Sequence, residues 1–478
     1  MTKRVHAFRD DALGEHDAVE LAGLVRDGAV SAEELAEASA ARARDVSLLD
    51  AITCTSARPR ISRDTTGALY GVPTFVKDNT DLHGLPTNHG SEAFTARTAT
   101  KDGAYATQYL STGMTVMGKS RLPEFGFNAT TEFMTGPPTR NPWDTDYSVG
   151  ASSGGSAALV AAGVVPLAHA NDGGGSIRIP AACAGLVGLK PTRHRHIDGE
   201  QARHLPINMI SEGVVTRTVR DTAAFLAAIE DHWRNPALPP IGQVYGPAQR
   251  RLRIGLVLDS VSGTLDEETR AAVEHTARLL EKAGHHVEPV ALPVTEQFAA
   301  DFLQYWALLA ELAADTGKLS FDRSFTADRL DGLTLGLRRH HRRNLRRTPG
   351  ALRRLRRVPV AYARLFARHE LVLTPVLAHT TPLIGHLSPT VEFADLVDRL
   401  TGYVAYTPLN NIAGTPAISL PLGTTAGGLP IGVQLSAAHG DERTLLETAY
   451  ALEAEHPFAR INADGWTVSP RRPAGAPR

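Results

Sequence analysis

GASSGGSAALVAAGVVPLAHANDGGGSIRIPAACAGLVGLKP, residues 150–191, holds two glycine–serine knots around one apolar, small-residue run. The first knot is Gly150-Ala151-Ser152-Ser153-Gly154-Gly155-Ser156, and the second is Asp172-Gly173-Gly174-Gly175-Ser176-Ile177-Arg178. Glycine tolerates positive φ and leaves backbone N–H groups unshielded, so a serine among glycines is a hydroxyl on a tight, accessible turn. Three glycines directly before Ser176 can aim several N–H donors at one point, as an oxyanion hole requires. The flanks are apolar rather than Ser/Gly-rich, which sets the knots apart from flexible linkers. Residues 155–162 predict a helix whose positive N-terminus faces Ser152 and Ser153, and residues 164–170 predict the strand that enters the second knot.

A serine nucleophile needs a base within reach. Lys77 ends an apolar run, Leu69-Tyr70-Gly71-Val72-Pro73-Thr74-Phe75-Val76-Lys77, that predicts a buried strand. Desolvation lowers the pKa of a buried lysine and makes it a usable base, although lysine at a strand end also commonly keeps its head in water. The chain has 19 histidines, so a histidine partner stays open on these grounds.

Two short patterns compete. Gly113–Ser120 fits the phosphate-loop pattern G-x-x-x-x-G-K-[ST], but a helix precedes it and Arg121-Leu122-Pro123 follows where a helix should open. Gly150–Gly154 fits the nucleophile elbow G-x-S-x-G, but the run before it, Asn141–Ser148, is polar and turn-like where the elbow needs a buried strand. Ser152 is therefore not read as an elbow nucleophile.

Lys77, the Ser152–Ser153 pair and Gly174-Gly175-Ser176-Ile177-Arg178 together resemble the amidase signature family of serine hydrolases. The separations of 75 (152 − 77) and 24 (176 − 152) residues fit that family's pattern. The resemblance implies a Ser–cisSer–Lys triad: Ser176 as nucleophile, Ser152 as the bridging serine in a cis peptide, and Lys77 as base. It implies an oxyanion hole at Gly173, Gly174, Gly175 and Ser176, with Ser153, Asp172 and Arg178 supporting the site. It also implies an α/β amidase signature fold, a large mixed β-sheet core covered by helices on both faces, hydrolysis of a small-molecule amide through an acyl-enzyme, no metal or organic cofactor, and a homodimer. Phe125, Phe127 and Met134, with parts of residues 296–366, are the candidate pocket walls. The Ser-Ser-Leu-Asp-Gln stretch of glutamyl-tRNA amidotransferase A subunits is absent after Thr192. With Ala170-Asn171-Asp172 before the glycines, this resembles the subgroup of hydrolases of non-natural amides such as 6-aminohexanoate cyclic-dimer hydrolase. Carbamate, aryl-amide or ester cleavage by the same triad, and an ammonia-producing subunit that needs a partner, are the alternatives.

Composition is ordinary for a soluble globular protein. The chain has 478 residues, 42% hydrophobic and 21% charged, with formal net charge −1, which gives no general bias toward nucleic acid or membrane. Cys54 and Cys183 are too few and too far apart for a disulfide framework or zinc cluster, so a reducing cytoplasm is expected. The expected organisation is one domain over 1–468, with a signature core over about 65–225, a peripheral Arg-rich helical region over about 296–366, and a disordered tail at 469–478.

Helices are expected over 17–27, from the Ser31-Ala32-Glu33-Glu34 capping box to about 45, over 102–112 with Asp102 as N-cap, over 266–283 and over 441–456. Strands are expected near 251–258, 285–290 and 371–375, and at 411–421 and 428–435. Ten of the twenty residues 338–357 are arginine. Such a block can bind anions, but Leu337, Leu345, Leu352 and Leu355 interrupt it at roughly helical spacing and favour solvated amphipathic helices.

Overall fold

The structure is a computed structural model and describes residues 4–463; the expected tail 469–478 lies outside the described residues. At its centre is an eight-stranded mixed sheet. In spatial order its strands are His286–Pro289, Arg253–Leu256, Leu371–Pro375, Pro430–Ala437, Ala417–Thr424, Val187–Lys190, Ser211–Thr216 and Leu167–Asp172. The first three run parallel, and each later pair of neighbours is antiparallel. Successive side chains on a strand point to opposite faces. Leu167 and Val214 accordingly enter one apolar cluster, with Phe225, Val273 and Leu445 of three covering helices. Ala168, Ala170 and Val215 enter another, with the helix Gly154–Ala161, every residue of which is buried. The fold is α/β, with helices on both faces of a large mixed sheet.

A smaller sheet orders the strands Ile52–Arg60, Thr115–Ser120 and Pro73–Lys77, so Lys77 ends an edge strand. All five residues of that strand are buried. The second knot joins the strand Leu167–Asp172 to the helix Arg178–Ala184, which lies very close to the main sheet. A Cβ on Gly432 would come within 2.3 Å of the Ala182 Cβ, so only glycine allows this approach.

Some expectations change. The helix after Asp102 begins at Ala104 with Gly103 as N-cap, because Asp102 pairs with Arg60 at 2.7 Å. The expected capping box at Ser31 and Glu34 is present, and a second one, Asp17 with Glu20, opens the preceding helix. Lys119 of the phosphate-loop pattern sits fully buried on a strand; its Nζ donates to Pro86 O at 2.8 Å and pairs with the Asp78 carboxylate at 3.0 Å. A lysine held in this way braces two loops and is not free to meet a phosphate. In the arginine block, Leu337 and Leu355 point inward, whereas Leu345 is exposed. Arg338, Arg342 and Arg354 pair with Asp315, Glu311 and Asp301 of the long helix Glu296–Ser320. No helix of the described residues is long and apolar enough to cross a membrane.

Candidate active site

The fold brings the two knots and the lysine strand together. Ser152 and Ser153 sit at the start of the helix Gly154–Ala161, and the Ala151–Ser152 peptide bond is cis. Asp144–Ser148, the strand before this knot, pairs with Arg140–Asn141 and bridges to Leu383, both outside the main sheet, so the strand context of a nucleophile elbow is missing.

Lys77 is completely buried. Its Nζ lies 2.8 Å from Ser152 Oγ, 2.9 Å from Ser153 Oγ and 2.7 Å from Asn171 Oδ1. Burial pulls its pKa down to about 7, against the partial upward pull of the Glu212 and Asp172 carboxylates. Near neutral pH about half of these amines are uncharged, with two N–H donors and one lone pair. The partners dictate where that lone pair points. Asn171 Oδ1 can only accept. Ser153 donates its O–H to Asn171 O, so its oxygen accepts from the lysine. Both N–H groups are then committed, and the lone pair faces Ser152, which can donate its O–H to it.

His169, also buried, stands behind the lysine. Its Nδ1 accepts the Lys77 backbone N–H at 3.2 Å, so the ring proton is on Nε2, which donates to Glu212 at 3.0 Å. This histidine is a structural brace of the lysine strand.

Ser176 lines the same cavity as Ser152, and its carbonyl accepts the Ser153 N–H at 3.3 Å. Asp172 organises its loop. The Asp172 carboxylate accepts N–H groups from Gly175 at 2.7 Å and Ile177 at 3.1 Å, and takes a two-point ion pair from Arg178 with both contacts at 2.9 Å. Burial would raise this carboxyl's pKa, but the Arg178 charge and hydrogen bonds outweigh it and hold the group well below the usual carboxylate range. Asn411 adds a donor to Asp172 at 2.8 Å and accepts from Arg178 at 2.7 Å.

This network corrects one expectation. Gly175 cannot offer its N–H to an oxyanion, because Asp172 holds it; Gly175 is needed instead for its backbone, with φ of 134°. The N–H groups of Gly173, Gly174 and Ser176 have no acceptor among the described residues. Three donors therefore remain, one fewer than the sequence suggests.

A cavity of about 800 Å³ opens in front of Ser152, Ser176, Gly173 and Gly174. Phe125 and Phe127 line it, and Phe125 stacks on Phe321 at 4.8 Å. Met134 does not line it. It lies 47% exposed near Gly332, because its loop turns outward before the first knot. Among the described residues no group of three or more His, Cys, Asp or Glu is arranged to hold a metal ion.

A family model described as Amidase matches residues 29–446. The chain belongs to the amidase family. The candidate amidase AmiC of Mycobacterium leprae (strain TN) is 51% identical over 464 residues, which is 96% of this amidase and 99% of the relative. The 6-aminohexanoate-cyclic-dimer hydrolase of Pseudomonas sp. (strain NK87) is 33% identical over 92% of this chain and 95% of its own. A solved structure of 6-aminohexanoate cyclic dimer hydrolase superposes with a TM-score of 0.82 at 29% identity, covering 95% of this amidase and 99% of that chain.

Sequence reasoning missed Asn171, Asn411 and Glu212. Asn171 stood in the motif before the glycines, but nothing in the sequence tied its side chain to Lys77. Its role appears only once the strand Leu167–Asp172 lies beside the Ser153 turn.

Proposed function

We propose that this amidase hydrolyses carboxylic amides with Ser176 as nucleophile, Ser152 as proton bridge and Lys77 as base. The observation that carries the reading is the buried cluster of Lys77 Nζ with Ser152 Oγ, Ser153 Oγ and Asn171 Oδ1, in which Ser152 is the partner free to donate to a neutral amine. In the first half-reaction Ser152 passes its proton to Lys77 and takes the Ser176 proton, while Ser176 Oγ bonds to the carbonyl carbon. The oxyanion accepts N–H groups from Gly173, Gly174 and Ser176; removal of one such donor typically costs about 3–4 kcal/mol in the transition state. The Lys77 ammonium then returns a proton through Ser152 to the nitrogen as the C–N bond breaks. Water attacks the acyl-enzyme by the same proton route and releases the acid.

The likeness to 6-aminohexanoate-cyclic-dimer hydrolases supports cyclic or non-natural amides as candidate substrates. The test is amine release by the purified chain from simple amides, anilides, a carbamate, an ester, glutamine and the 6-aminohexanoate cyclic dimer, with Ser176→Ala as blank. Release above the blank from the amides supports the reading. Turnover equal to the blank for every compound refutes it.

A further inference from the structure

The cavity is apolar in a directed way. One wall is the helix Glu296–Ser320, and its lining residues run from Phe298 to Ser320, about 33 Å at the rise of an α-helix. Phe298, Phe302, Trp306, Leu309 and Ala313 follow one another at steps of four, four, three and four, so they form a single stripe on one helix face. The stripe passes the nucleophile loop at Phe302: a Cβ on Gly174 would lie 3.5 Å from its ring. Its volume of about 800 Å³ is near the upper end for small-molecule sites, which run to about 1,000 Å³.

Charge is as informative as shape. Among the described residues no lysine or arginine lines the cavity, and Asp81 and Glu200, both exposed, are the carboxylates that do. A substrate carboxylate entering here would lose its water and meet no cation, and two carboxylates would stand near its path.

We infer that the amide hydrolysed here is uncharged and carries a long or aromatic apolar group that lies along the Phe298–Ala313 stripe. Amides bearing a carboxylate, glutamine among them, are rejected. The inference rests on the hydrolase reading for the placing of the scissile bond, but binding tests it separately from turnover.

The experiment measures binding by calorimetry to the Ser176→Ala protein, with decanamide, acetamide and the monoamide of decanedioic acid as probes. Each fully buried methylene adds about fourfold in affinity, so burying even half of the eight extra methylenes gives at least about a hundredfold for decanamide over acetamide. The monoamide binds at least tenfold more weakly than decanamide. Leu312→Asp, at a cavity-lining position 40% exposed and so tolerant of change, weakens decanamide at least tenfold and leaves acetamide unchanged. Ala313→Trp does the same by filling the stripe. Equal affinity for the two simple amides, equal affinity for the acid and its methyl-ended counterpart, or decanamide binding untouched by both variants would overturn the inference. Ammonia release from decanamide by the unaltered protein is read in parallel. Its absence, with the binding order intact, refutes the hydrolase reading and leaves the cavity assignment standing.

Discussion

The pH dependence of kcat/KM follows from the burial of Lys77. With its pKa at about 7, the neutral base makes up about 9% of the protein at pH 6 and about 91% at pH 8. An ordinary lysine at about 10.4 would leave only about 0.04% neutral at pH 7, so burial raises the supply of base more than a thousandfold. Burial pulls the pKa down, while Glu212 is the largest influence holding it up. Glu212→Gln removes that charge and keeps an acceptor for the His169 Nε2–H. Its sign is fixed: losing a carboxylate favours the neutral amine, lowers the lysine's pKa and moves the acid limb to lower pH. The assay is kcat/KM for an uncharged anilide across the pH range, which reports groups of the free enzyme. The unaltered protein should rise about tenfold between pH 6 and 8 and then level off. Glu212→Gln should gain relative activity at pH 6 with a similar plateau, and Lys77→Ala should lose the plateau. A limb near pH 10, or a limb that moves upward in Glu212→Gln, would refute the reasoning.

Two further outcomes concern the groups around the triad. Asn171→Ala removes an obligate acceptor of Lys77 and lets the amine turn; kcat should fall by about 5- to 150-fold, the value of a hydrogen bond of about 1–3 kcal/mol, with KM little changed. Steady-state kinetics at pH 8 checks this, and an unchanged kcat would remove Asn171 from the account. Asp172→Asn leaves Arg178 buried without its charge partner and should cost about 3–5 kcal/mol of stability in urea unfolding. A loss below about 1 kcal/mol would show that Asn411 and Gln434 hold Arg178 without the charge.

Much of this was legible in the sequence because glycine is so restrictive a signal. The two knots placed Ser152 and Ser176 on tight turns, and the apolar run ending at Lys77 marked a buried strand without fixing whether the lysine head leaves water. The direction of individual N–H groups was not legible. Gly175 looks like its neighbours until the Asp172 side chain folds back and takes its hydrogen. Asn171 owes its place to strand pairing between distant segments. Met134 lies away from the cavity for a similar reason, since a methionine in a loop gives no hint of which way the loop turns. The stripe from Phe298 to Ala313 has visible helical spacing, but spacing alone cannot separate a face against the core from a face against a cavity. Lys119 shows the opposite error that local patterns invite: its motif is complete, yet Asp78 and two loop oxygens already hold it.

The central claim is that Ser176 carries the acyl group. The direct measurement is intact-mass and peptide mapping after treatment with a fluorophosphonate, which phosphonylates activated serines with loss of fluoride. The account predicts one adduct per chain, located on Ser176, lost in Ser176→Ala and slowed in Lys77→Ala. An adduct on Ser152, or labelling that survives in Ser176→Ala, would contradict it.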